Sequence, residues 1–259
     1  MANKNELPIA VLDSGVGGIS VLRELLRIMP NENYLYYGDS ANAPYGTKQS
    51  REVLKITRNN LKYLKAVGIK ALVIACNTAT SAAAATLRKE NPDLPIIGIE
   101  PAIKPPAVTL DHPRVLVMAT PLTLREKKFS RLVSRFESKE EIIPLPCDGL
   151  AELIEAGKLD SAEIKAYLTK LFEPHLDPPP DAVVLGCTHY PHAKAAIAEC
   201  LPKGTLILDG GEGTARHTHN RLSELGLLRI SHKVGTVKII NTSSDPNAVL
   251  LSRTLLYKN

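Results

Sequence analysis

Two stretches of this 259-residue chain follow one pattern: Val73-Ile-Ala-Cys76-Asn77-Thr78 and Val183-Val-Leu-Gly-Cys187-Thr188-His189. Each is a short unbroken apolar run that ends in a cysteine and a polar turn. Helix-like sequence follows each, Ala79 to Arg88 in the first and His192 to Cys200 in the second. Apolar runs without alternation mark strands buried on both faces, which implies a parallel sheet covered by helices. In open α/β sheets, ligands bind outside the carboxyl ends of the strands. A cysteine there sits near helix N-terminal N–H groups that favour its thiolate. Two such cysteines, one in each half, point to one site with two facing thiols.

The rest of the chain fits the same grammar. Ile9 to Leu12 reads as a buried strand, Asp13-Ser-Gly-Val-Gly-Gly18 as a tight turn, and Ile19 to Met29 as a helix stopped by Pro30. Glycines in such a turn allow close backbone approach, and the helix start favours an anion. The turn is not GxGxxG, so a dinucleotide site is not indicated. Asn33–Tyr37, Ala71–Ala75 and Leu94–Gly98 are further strands, with a helix over Gln49–Ala66 capped by Gly68. The pattern restarts with strands at Arg114–Met118, Glu141–Leu145, Ala182–Leu185 and Thr205–Asp209. A basic amphipathic helix is expected from about Leu124 to Phe136, with others at Leu150–Ala156, Ser161–Leu171 and Glu212–Leu225. Val237–Ile240 is a late strand and Pro246–Tyr257 a terminal helix. From Asp13 to Cys76 is 63 residues, and from Ala119 to Cys187 is 68. Matching order and spacing predict an α/β fold of two pseudo-symmetric domains, each a mostly parallel sheet flanked by helices, with the active site in the cleft between them. The expected division is 1–98 plus 210–259, carrying Cys76, and 99–209, carrying Cys187, with the tail returning to the first half.

Composition narrows the class. The net charge of +5 is spread along the chain without the basic block of a nucleic-acid binder, so no nucleic-acid partner is expected. No apolar run approaches a membrane span, and the start lacks the apolar core of a secretory signal. The four cysteines show no CxxC pair and no zinc-type spacing, so a reducing cytoplasm, free thiols and no metal are expected.

Cys147 and Cys200 read as small buried hydrophobes. Cys76 and Cys187 differ, because polar residues converge on the same strand ends. Asp13 and Ser14 close the first strand, Asn77 and Thr78 follow one cysteine, and Thr188 and His189 follow the other. Singly, each reads as a helix cap or turn residue; together they occupy one sheet edge.

Asp13-Ser-Gly-Val-Gly-Gly18, Tyr37-Gly-Asp-Ser-Ala-Asn-Ala-Pro-Tyr-Gly46, Ala75-Cys-Asn-Thr-Ala79 and Leu185-Gly-Cys-Thr-His-Tyr-Pro191 together resemble the glutamate racemases of the aspartate/glutamate racemase superfamily. The resemblance covers essentially the whole chain, and the aspartate racemases are the nearest alternative. It implies an isomerase that needs neither pyridoxal phosphate nor metal and moves the α-proton of glutamate by two-base thiolate/thiol chemistry. Cys187 would act on the L- and Cys76 on the D-enantiomer, with Asp13 assisting Cys76 and His189 assisting Cys187. Ser14, Pro44, Tyr45, Gly46, Asn77, Thr78 and Thr188 would hold the substrate together with Asp13, His189 and the two cysteines. Glu155 would meet its amino group, with Glu152 as rival. A cytoplasmic supply of D-glutamate for peptidoglycan follows from the resemblance, and a homodimer is common among relatives. Ala119-Thr-Pro-Leu-Thr-Leu-Arg-Glu126 departs from the family pattern, so no contact is carried over to that loop.

Overall fold

The apolar runs become parallel strands in two separate sheets. The computed structural model describes residues 4–103, 106, 110–136, 138–159 and 161–257. In chain order its strands are β1 (Ile9–Asp13), β2 (Tyr34–Gly38), β3 (Ala71–Ile74), β4 (Ile96–Gly98), β5 (Arg114–Ala119), β6 (Glu141–Pro146), β7 (Ala182–Leu185), β8 (Leu206–Asp209) and β9 (Val237–Asn241). The helices are α1 (Ile19–Ile28), α2 (Ser50–Val67), α3 (Asn77–Glu90), α4 (Pro121–Arg125), α5 (Lys127–Val133), α6 (Leu150–Glu155), α7 (Ala162–Phe172), α8 (Lys194–Glu199), α9 (Gly211–Glu224) and α10 (Asn247–Tyr257).

Among the described residues, one sheet has the order β4-β3-β1-β2-β9 and the other β6-β5-β7-β8. Every pairing is parallel. β1, β2, β3 and β7 are buried along their whole length, as unbroken apolar strands must be. The first sheet carries a core on each face. Ile9, Val11 and Val73 pack with Leu22 and Leu25 of α1 on one side. Leu12, Leu72 and Ile74 pack with Leu61 and Leu64 of α2 on the other. Each such side chain stabilises the fold by about 1.5–3 kcal/mol relative to exposure. Gly68 ends α2 at φ 92°, a conformation that glycine adopts without strain, and its N–H donates to Leu64 O and Lys65 O. After β8 the chain re-enters the first half: α9 packs on α1, and β9 pairs with β2.

The expected helix over Leu124–Phe136 is broken. Thr120 caps α4 through its side chain, and Glu126 is extended at φ −72°, ψ 137°, so α5 starts afresh at Lys127. The stretch after Cys187 likewise begins with a 3-10 turn, Tyr190–Ala193, before α8. No described helix is long and apolar enough to cross a membrane.

Candidate functional site

Both cysteines stand where their strands end. Cys76 follows β3 and is the N-cap of α3, its Sγ accepting from Ala79 N–H at 3.4 Å. Cys187 follows β7 in the other sheet. The two thiols are free, buried, and line one cavity of about 350 Å³. Ser14, Pro44, Tyr45, Gly46, Asn77, Thr78, Glu152, Glu155 and His189 share its wall. A larger open groove, about 1270 Å³, runs beside the outer strands β4 and β8 and holds none of these residues.

Asp13 and Thr188 lie outside the cavity lining. Asp13 is fully buried, its Oδ1 accepting from Gly15 N–H and its Oδ2 from Thr188 Oγ1, both at 3.0 Å. That second bond crosses between the halves. Burial raises the Asp13 carboxyl above its usual range, against the opposing pull of His189 and the Gly15 N–H. The Cys76 thiol is pushed up to about 12, first by burial and then by the neighbouring Asp13 charge. Cys76 therefore rests as a thiol, with a proton to give.

The second wall is a relay. His189 Nδ1 lies 3.6 Å from Cys187 Sγ, and His189 Nε2 is 2.6 Å from Glu155 Oε1. The same Glu155 oxygen accepts from Val16 N–H at 2.8 Å. Burial alone would lower the His189 pKa, but the Cys187 thiol and the Glu155 carboxylate outweigh it, and the imidazole is held well above its ordinary value. Glu155 is held below its usual range: burial opposes this, and the bonds to His189 and Val16 prevail.

The glycine turn finds its explanation here. A β-carbon at Gly15 would fall 1.8 Å from Glu155 Oε1, and one at Gly17 would fall 2.5 Å from His189 Nδ1. The turn thus makes room for the carboxylate and imidazole of the other half, a purpose different from the ligand approach its composition suggests. His192 Nε2 donates to Gly17 O at 3.1 Å and closes the seam.

The opposite seam carries residues that the sequence reading left out. Thr120 lines the cavity, and Thr78, Thr120 and Thr123 form a ring of hydroxyls with edges of 2.9, 3.1 and 2.9 Å. Leu122 N–H donates to Gly46 O at 3.2 Å. Cys147, read as inert filling, is buried but lines the cavity as well, as do Asp148, Ser40 and Ser243. A Thr-x-x-Thr at a strand end was a visible signal for Thr120. Asn77 lines the cavity, and its Oδ1 is buried without a hydrogen-bond partner. Among the described residues, no group of three His, Cys, Asp or Glu converges as metal ligands.

Fold and site together define an α/β protein of two parallel-sheet halves with one thiol on each wall of a shared cleft. The sequence profile described as Asp/Glu/Hydantoin racemase matches residues 9–218, and the chain belongs to that family. It is 46% identical over 249 residues to the glutamate racemase of Clostridium perfringens, covering 96% of both chains. A glutamate racemase of Clostridium botulinum is 47% identical over 248 residues, again covering 96% of each. Among solved structures, the Francisella tularensis glutamate racemase in complex with D-glutamate superposes with a TM-score of 0.84 at 27% identity, over 97% of this chain and 94% of that one. The Escherichia coli glutamate racemase with L-glutamate and an activator gives 0.83 at 30% identity, over 95% and 92%.

Proposed function

We propose that this chain interconverts L- and D-glutamate by proton transfer between two thiols, without a cofactor. One observation carries the reading: Cys76 and Cys187, from different sheets, line the same cavity. Racemisation removes a proton from one face of Cα and delivers one to the other, which needs an acid and a base on opposite sides. Cys187 serves the L-enantiomer and Cys76 the D-enantiomer. His189 hands its proton to or from Cys187 across 3.6 Å, and Asp13 plays the corresponding part for Cys76. Glu155 orients His189 through Oε1, and as part of the cavity lining it meets the substrate amino group, with Glu152 on the same wall as the rival. Ser14, the Pro44–Gly46 loop and Thr78 shape the remainder, Thr188 supports the site from behind through its bond to Asp13, and N–H groups at the start of α3 stabilise negative charge developing at the α-carboxylate.

The same reading takes 1–98 plus 210–259 as one domain and 99–209 as the other. It places the enzyme in the cytoplasm as a homodimer without nucleic-acid partners, supplying D-glutamate for peptidoglycan.

The test is α-proton exchange. Purified protein, dialysed against chelator, is incubated with L-glutamate and separately with D-glutamate in D₂O, and followed by NMR and polarimetry. Deuterium at Cα with decay of rotation from both sides is expected. Exchange with aspartate alone would reassign the substrate, and no exchange with any amino acid would refute the activity.

A further inference from the structure

The cavity has a wall that neither the cysteine motifs nor the Pro44 loop supplies. β9 is the outer strand of the first sheet, with Asn241 in register beside Gly38. The chain then turns alongside the loop that follows β2, held by a set of hydrogen bonds. Thr242 N–H donates to Gly38 O at 2.9 Å. Thr242 Oγ1 donates to Asp39 Oδ1 and accepts from Ala41 N–H, both at 3.0 Å. Asn241 Nδ2 donates to Ser40 Oγ at 2.9 Å, and Ser243 N–H to Asn241 Oδ1 at 2.8 Å. The other oxygen of the buried Asp39 accepts from Tyr45 OH at 2.6 Å. One carboxylate therefore fixes both this turn and the loop of Tyr45.

Ser243 lines the cavity. Its Oγ accepts from Asp245 N–H at 3.0 Å, and its hydroxyl proton has no acceptor among the described residues. The Thr78, Thr120 and Thr123 hydroxyls, by contrast, bond to one another. A hydroxyl that offers its proton selects an acceptor, and in an acidic amino acid the strongest acceptors are carboxylate oxygens. Position decides which carboxylate. Cys76 follows β3 and Ser243 follows β9, three strand spacings or about 14 Å across the sheet. The group that reaches Ser243 lies at the end of the ligand remote from the carbon between the thiols.

We propose that Ser243 donates its hydroxyl hydrogen bond to the side-chain carboxylate of the bound amino acid, and so sets the chain length the cavity accepts. This rests on the racemase reading above. Aspartate, one methylene shorter, would leave its carboxylate outside hydrogen-bond reach.

The test uses Ser243→Ala and Ser243→Thr in the full chain, assayed beside the wild type. A contact made equally in ground and transition state acts on KM and leaves kcat alone. Ser243→Ala is expected to raise KM for glutamate about tenfold, the scale of one hydrogen bond to a charged group, with kcat held and the unfolding midpoint lowered only by loss of the exposed turn bond from Asp245 N–H. Ser243→Thr, which keeps the hydroxyl, restores KM. An unchanged KM in Ser243→Ala, a loss confined to kcat, or a Thr variant as impaired as Ala overturns the assignment. A wild type that does not turn over glutamate refutes the racemase reading instead, and that result precedes any variant.

Discussion

Gly17→Ala turns the packing of the glycine turn into a measurement. Gly17 lies outside the left-handed backbone region, so alanine meets no conformational penalty there. Its methyl group would stand 2.5 Å from His189 Nδ1 and 2.7 Å from Cε1. Ordinary contact between such atoms needs about 3.5 Å, so the ring must withdraw by about 1 Å. His189 is buried, pinned at Nε2 by Glu155, and 3.6 Å from the Cys187 thiol at Nδ1. A displacement of that size in a reacting group costs about 10²-fold in rate. The assay is racemisation followed by circular dichroism from each enantiomer, with unfolding midpoints measured in parallel. Gly213→Ala is the matched control: it lies in α9 with nothing within 4 Å of a new β-carbon. That variant should keep full activity and gain about 0.5–1 kcal/mol of stability. Gly17→Ala turning over within a few-fold of wild type, with its fold intact, would refute the claim that the turn exists to seat His189.

Two further predictions concern stability. Lys70 is fully buried, and its ammonium bonds to the buried Glu32 and to Asn5 O. Glu32→Gln strands that cation and should lower stability by about 3 kcal/mol in urea titrations; a loss below about 1 kcal/mol would contradict the pairing. His192 is held at about 4, below the usual histidine value, by burial and then by the charges of His189 and Arg23. Between pH 6.5 and 4 the unfolded chain therefore binds more protons than the folded one, and stability falls as pH falls through that window. Its share of the loss from pH 7 to 5 is about 2 kcal/mol. His192→Asn should flatten that part of the pH profile, and an unchanged slope would exclude the assignment.

The strands and the two parallel-sheet halves were legible because unbroken apolar runs report burial on both faces, and Pro or Gly punctuates their ends; the order of strands within each sheet was not, since it is set by pairings between distant segments. The break at Glu126 was not, since no Gly or Pro marks it; the interruption comes from Thr120 capping α4 and from docking against the Gly46 loop. Position at the strand ends singled out both cysteines, the family resemblance gave them roles, and the structure brings both to one cavity. The purpose of Gly15 and Gly17 was hidden, because the groups that fill their space arrive from residues 155 and 189. Ser243 was within reach of the rule that found the cysteines. Val237–Ile240 is an apolar strand ending in Asn-Thr-Ser-Ser, and a polar turn at a strand's carboxyl end belongs on the list of cavity residues.

The measurement that bears most directly on the two-thiol cleft is racemisation by Cys76→Ser and Cys187→Ser, each assayed from both enantiomers. A serine hydroxyl is a far weaker base than a thiolate at neutral pH. Each variant, folded as judged by its unfolding midpoint, should lose at least about 10³-fold in turnover from both sides, because every racemisation needs both walls. Full turnover in either variant would show that a single wall suffices and would end the two-thiol mechanism.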